Sequence, residues 1–190
     1  MEKNETERFL SMNLIEKKTA SELLYDGTVV HLYKDTVELP DGNPAIREYV
    51  RHIGAVCVVP VTDEGEVLLE RQYRYAVGEI LVEIPAGKLD FPGEDWEEAA
   101  RRELREETGA EARELIDLGD YYGSPAIMGE RIRMFLARGL TFTEQHLDED
   151  EFLETFRLPL DEAVRRIMAG EIPDGKTQAG ILRAAMMLGK

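Results

Sequence analysis

The chain has 190 residues, enough for one domain, or one domain with a small appendage, and enough to bury a core. Its 39 acidic residues outnumber 23 basic ones and leave a formal net charge of −16, which argues against electrostatic attraction to nucleic acid or an anionic membrane. Cys57 is the single cysteine, the first residues lack an apolar secretion signal, and no run approaches the ~18 apolar residues of a membrane span, so the expectation is a soluble cytoplasmic protein.

Residues 28–39 (TVVHLYKDTVEL) and 45–52 (AIREYVRH) are rich in β-formers and flank the turn formers PDGN, which predicts a hairpin. A second pair, GAVCVVPV and EVLLERQYRY, surrounds the turn TDEG, and EILVEIPAG supplies a further short apolar strand. Asp95 as N-cap and Gly109 as C-terminal stop delimit a helix of nearly four turns. Two more strands follow, RELIDLGDYYGSP and RIRMFLARGLTF, then the acidic loop TEQHLDEDE, a strand FLETFRLP and a helix starting near Leu160. The last helix, over about residues 176–188, carries Ile181, Ala184, Ala185 and Leu188 on one apolar face, with Leu182 at its edge.

This order predicts an α+β fold, a mixed sheet with helices, and not the regular alternation of a doubly wound parallel sheet. Residues 1–52 are expected to form a small N-terminal β unit and residues 53–190 the main domain. A hairpin alone is marginal and needs something to pack on, and a second subunit would serve.

The helix poses a charge problem. With Glu103 at zero and ~100° per residue, Trp96, Ala99 and Ala100 fall at about +20°, −40° and +60°, while Glu107 and Glu106 fall at about +40° and −60°. The apolar stripe therefore ends in three carboxylates, and Arg101, Arg105 and Glu98 take the opposite side. Like charges at helical spacing repel, and the cost rises as they lose water. Hard divalent cations such as Mg²⁺ or Mn²⁺ favour carboxylate oxygens and keep positions open for substrate phosphates. The ordinary alternative is a solvated, charge-rich helix. The Gly- and Pro-rich entry PAGKLDFPGED weighs against it, because such a loop can bring backbone groups and a phosphate beside the acids.

This segment resembles the Nudix box, which runs Gly, five residues, Glu, seven residues, Arg-Glu, an apolar residue, any residue, Glu-Glu, any residue, Gly and an apolar residue. Glu94, Arg102, Glu103, Leu104, Glu106, Glu107, Gly109 and Ala110 match it, whereas KLDFPG places six residues between Gly87 and Glu94. One residue is extra, with Phe91 a candidate, which lengthens the loop before the helix.

The segments AIREYVRHIGAV, ERQYRY, LVEIPAGKLD and YYGSPAIMGERIRMFLA are similar to the ADP-ribose pyrophosphatase branch of Nudix hydrolases. The resemblance implies an α/β/α Nudix sandwich behind an N-terminal β unit and a homodimer formed through that unit. It also implies Mg²⁺-dependent splitting of ADP-ribose, a nucleoside diphosphate sugar, into AMP and ribose 5-phosphate, with Mn²⁺ a substitute ion. SPAIM departs from the Ser-Pro-Gly common in the branch, in a loop that helps choose the substrate.

By the same resemblance Glu103 and Glu107 are the principal metal ligands, Glu106 binds or bridges a second ion, and the Ala86 carbonyl adds an oxygen. Glu94 supports them, and Arg102 orients the box glutamates, the alternative for Arg102 being a surface ion pair with Glu98. Glu151 matches the loop glutamate that acts on the water, with Glu149 the alternative if the register shifts. Arg47 and Arg74 resemble arginines that bind substrate phosphates or the adenosine portion, and Glu83 resembles a base-contacting acid; solvated arginines are the alternative. Tyr25 and Tyr49 are candidates for stacking on adenine or for packing. The competing readings are a pyrophosphatase for another nucleotide sugar such as GDP-mannose and a non-catalytic nucleotide sensor.

Overall fold

The structure, a computed structural model, describes residues 13–147 and 151–190, and its chain divides into two compact units. The first comprises Met1–His52 with Ala126–Gly129. Its described part is an antiparallel sheet of β1 (Lys17–Asp26), β2 (His31–Glu38) and β3 (Pro44–Arg51) in that order. The β2–β3 hairpin turns where the sequence places PDGN, with Gly42 at φ +86 and the Leu39 N–H donating to the Asn43 carbonyl. Tyr49 stacks on Tyr33 with ring centroids 5.9 Å apart and donates through its hydroxyl to Asp35. Ala126–Gly129 joins the sheet through Val50, whose N–H donates to the Ile127 carbonyl and whose carbonyl accepts from the Gly129 N–H.

β1 is an addition to the predicted hairpin. All ten of its residues are exposed, so KKTASELLYD lacks the alternation of buried and polar positions that marks a strand.

The described residues of the second unit, Ile53–Pro125 with Glu130–Lys190, form two sheets and three helices. One sheet has the order β7-β4-β9-β8, from β4 (Ala55–Pro60), β7 (Ala86–Lys88), β8 (Ala110–Tyr121) and β9 (Ile132–Phe142); β4 and β9 run parallel and the other neighbours antiparallel. This is the expected mixed sheet. The other sheet is antiparallel with the order β10-β5-β6, from β5 (Glu66–Arg74), β6 (Glu79–Glu83) and β10 (Leu153–Pro159). The stretch EILVEIPAG, which reads as one strand, breaks after Glu83 and enters the first sheet at Ala86. The break has a cause in Pro85, which has no N–H to donate to a ladder, although its carbonyl still accepts from Val58.

β4 is buried at every position, so both of its faces need cover. On one, Cys57, Val59 and Val61 pack with Leu69 of β5, with Ala163 and Ile167 of α2 (Leu160–Met168), and with Ile181 and Ala184 of α3 (Gly175–Met187). On the other, Val56 and Val58 pack with Leu68 and with Ala99, Ala100 and Leu104 of α1 (Trp96–Thr108). Helices thus lie on both sides of a central sheet, the α/β/α sandwich expected from the sequence. Burial pushes the Cys57 thiol up to about 12, which makes it inert packing.

Candidate active site

The site grows from α1. Asp95 caps it, its carboxylate accepting from the Glu97 and Glu98 N–H groups, and Gly109 ends it at φ +68 with its N–H donating to the Arg105 carbonyl. Between these stops Ala99, Ala100, Glu103, Leu104 and Glu107 are the buried residues, so the acids do lie on the inward stripe. Glu103 is 8% exposed and Glu107 3%, while Glu106 stands at the half-exposed flank.

Each inward acid meets the segment 86–88. The Glu107 Oε2 accepts from the Ala86 N–H at 2.9 Å. The Glu103 carboxylate lies against Gly87, where an added Cβ would fall 2.1–2.2 Å from its atoms. Only the absence of a side chain at Gly87 lets the acid occupy this place.

The six-residue loop between Gly87 and Glu94 is closed by a turn. Gly93 takes φ +89, the Glu94 N–H donates to the Phe91 carbonyl, and Glu94 Oε2 accepts from the Asp90 N–H at 2.7 Å. Phe91 is exposed in that turn, and Gly87 lies against Glu103.

Arg102 is shared among carboxylates. Its Nη1 donates to Glu103 at 2.6 Å and to Glu106 at 3.2 Å, and its Nε lies 3.2 Å from Asp90 and 3.4 Å from Glu94. One guanidinium cannot neutralise four acids. Burial therefore pushes the Glu103 carboxyl up to about 7, with the Glu106 and Glu151 charges adding to the rise and Arg102 opposing it. Burial pushes Glu107 higher still, helped by the negative charges of Glu70 and Glu103 and opposed by the Ala86 N–H.

Two residues enter the site that the motif does not mark. Glu70 on β5 is fully buried, and burial with the adjoining Glu83 charge raises its carboxyl well above the usual range. Lys176, at the start of α3, ion-pairs with Glu83 and lies 3.1 Å from Asp174. A signal for Glu70 did exist: an acid continues the apolar run VLL on the side of the strand that also carries Leu68. No comparable signal marks Lys176.

Arg74 and Glu83 are brought together, but on each other. Arg74 Nε and Nη2 donate to the two Glu83 oxygens at 2.7 and 2.8 Å. Burial works against the Glu83 charge, yet Arg74 and Lys176 outweigh it and hold the carboxyl below the usual range. Arg47 belongs to the N-terminal unit, where its guanidinium holds Glu16. Glu151 is half-buried just before β10, and its negative charge is among those that raise Glu70, Glu103 and Glu107. Glu149 lies outside the described residues.

The donor set fits a hard divalent cation. All the available ligands are oxygens, and Glu107 has an N–H but no lysine or arginine partner among the described residues. Among the described residues no three His, Cys, Asp or Glu side chains already converge at cation-holding distances, with Glu103 turned onto Arg102 and Glu107 onto Ala86.

Comparison with known proteins places this geometry. The model of the NUDIX domain matches residues 51–178. The chain belongs to the Nudix family. Residues 16–50 of this Nudix protein match a second model, the nucleoside diphosphate sugar hydrolase N-terminal domain. It is similar to the ADP-ribose pyrophosphatase of Bacillus subtilis (strain 168), 43% identical over 171 residues that cover 89% of this chain and 92% of the relative. It is also similar to the methanol dehydrogenase activator of Bacillus methanolicus, 44% identical over 167 residues covering 86% and 90% of the two chains. A solved structure described as an ADP compounds hydrolase shares the fold, with TM-score 0.80 over 91% of this chain and 95% of that one at 24% identity. No helix among the described residues is long and apolar enough to cross a membrane.

Proposed function

We propose that this Nudix hydrolase splits the pyrophosphate bond of ADP-ribose, giving AMP and ribose 5-phosphate, with Mg²⁺ as the required ion. The observation that carries the reading is the pair of buried acids, Glu103 against Gly87 and Glu107 on the Ala86 N–H, on a helix whose sequence matches the Nudix box. The relative from B. subtilis supports ADP-ribose as substrate, and the match at residues 16–50 supports the nucleoside diphosphate sugar class.

Glu103, Glu107, Glu106 and the Ala86 carbonyl are the groups that would hold the ion. Bound there, Mg²⁺ neutralises diphosphate charge and acidifies a water. The chain's own residues do the rest. Arg102 fixes Glu103 and Glu106 together through its Nη1, which donates to one oxygen of each. Glu151, the acid on the loop side, takes the proton of the attacking water as its oxygen bonds to phosphorus and the bridging P–O bond breaks. Arg74 and Arg47 would bind substrate by exchanging their present carboxylate partners for phosphate, and Glu83 would turn toward the base once Arg74 leaves it. The N-terminal unit serves as the dimerisation element: Leu23, Leu24 and Tyr25 of β1 are exposed, and a three-stranded sheet gains stability by covering such residues.

The test is product analysis with ADP-ribose, GDP-mannose and a dinucleotide, with and without Mg²⁺, for wild type and Glu103→Gln. Mg²⁺-dependent AMP release from ADP-ribose, lost in a folded Glu103→Gln protein, is expected. Faster turnover of GDP-mannose would move the substrate to that sugar, and tight binding of ADP-ribose without turnover would make the protein a sensor. Light scattering on the intact protein tests the dimer.

A further inference from the structure

Glu70 has no part in the Nudix box, and its setting calls for an explanation. Along β5 alternate residues share a face, and Leu68 of that face packs with Ala100 and Leu104 of α1. Two residues on, Glu70 continues the same face. It stands cross-strand from Glu83 of β6 on one side and from Thr155 of β10 on the other.

Glu70 is 0% exposed, and among the described residues neither of its carboxylate oxygens has a hydrogen-bond partner. Arg74 and Lys176, cations whose charge reaches it, are both engaged by Glu83. The acids within reach are Glu83, Glu107 and Glu151. A carboxyl group stripped of water and left without donors costs several kcal/mol, and an apolar side chain would fill the same space without that cost. A cation bound beside it would offset that cost. The Glu70 charge is felt by Glu107 of α1, and Glu70 feels that of Glu151, both residues of the proposed cation site.

We propose that Glu70 is a sheet-side carboxylate ligand of the divalent-cation centre, contributed from β5 opposite Glu107 of α1, so that the ion is held from both the helix and the sheet. This rests on the cation reading given above. It adds a ligand from outside the box, and it accounts for an unpartnered acid that the box chemistry does not use. Thr155 and Glu83, the neighbours on the same face, then belong to the wall behind the ion.

The test is direct binding of Mn²⁺, followed by electron paramagnetic resonance and calorimetry without substrate, on intact wild type, Glu70→Gln, Glu70→Asp, Glu70→Leu and Glu103→Gln. Folding of each is checked by thermal melting. Loss of at least about 10-fold in affinity, or of one bound ion, is expected in all three Glu70 variants. Glu70→Leu is also expected to melt higher than wild type in chelator, because it removes an uncompensated buried acid. Glu70→Asp separates ligation from charge alone, since it keeps the charge and retracts the oxygens. Wild-type Mn²⁺ binding by Glu70→Asp or Glu70→Leu, beside a weakened Glu103→Gln, overturns the Glu70 assignment and leaves the cation reading intact. Absence of Mn²⁺ binding by wild type overturns both.

Discussion

Removing divalent cations while raising the pH should destabilise this protein, against the usual behaviour of carboxylates. The unfolded chain releases the Glu103 proton near 4.5, whereas the folded protein holds it until about 7. Between those values the folded state binds more protons, so stability is fully present below pH 4.5 and is lost progressively up to pH 7. One proton over that window amounts to about 3 kcal/mol, at about 1.4 kcal/mol per pH unit. Only 11% of the Glu103 side chain is exposed, so solvent screening reduces this little. Glu107 is pushed in the same direction and adds to the loss. Glu83, held low by Arg74 and Lys176, works the other way, but its stabilisation is already present above about pH 4.5 and does not mask the effect. For a chain of this size 1 kcal/mol moves Tm by about 2–4 °C, so Tm in chelator should fall by roughly 6–12 °C from about pH 5 to about pH 7.5. The assay is thermal unfolding followed by circular dichroism, in chelator and in excess Mg²⁺. Mg²⁺ should restore most of the loss at the higher pH and little at the lower. Glu103→Gln should make the chelator curve shallower, with Glu107 and Glu70 still contributing to the slope. A metal-free Tm that stays level or rises across this range, or a Glu103→Gln curve parallel to wild type, would refute the account of the inward acids.

Gly87→Ala places a methyl group where the Glu103 carboxylate now lies, and should lower Mg²⁺-dependent turnover by at least about 10-fold, with the circular dichroism spectrum retained. Arg74→Ala leaves the buried Glu83 with Lys176 alone and should cost roughly 3 kcal/mol in urea unfolding; a change near zero would show that Lys176 suffices. Asp95→Ala removes the acceptor for the Glu97 and Glu98 N–H groups and should cost about 1 kcal/mol, with catalysis per folded molecule unchanged.

Much of the site was written locally. Asp95, Gly109 and the stripe Ala99, Ala100, Glu103, Leu104 and Glu107 specify where α1 begins, ends and faces, because capping and periodicity depend on residues only a few positions apart. The Nudix box added the identity of the acids and of Arg102. β1 escaped notice because a strand with no buried face carries no alternation.

What only the tertiary structure decided is who meets whom across long stretches of chain. The break at Pro85 sends Glu83 to one sheet and Ala86 to the other, and the register of β5 sets Glu70 beside Glu83 and on the α1 side. Arg74 found Glu83, and α3 brought Lys176 to the same carboxylate from 93 residues away. Sequence spacing fixes neighbours along a helix or strand. Which acids lose their water, and which cations are already taken, depends on strand order and packing, and these are properties of the whole folded unit.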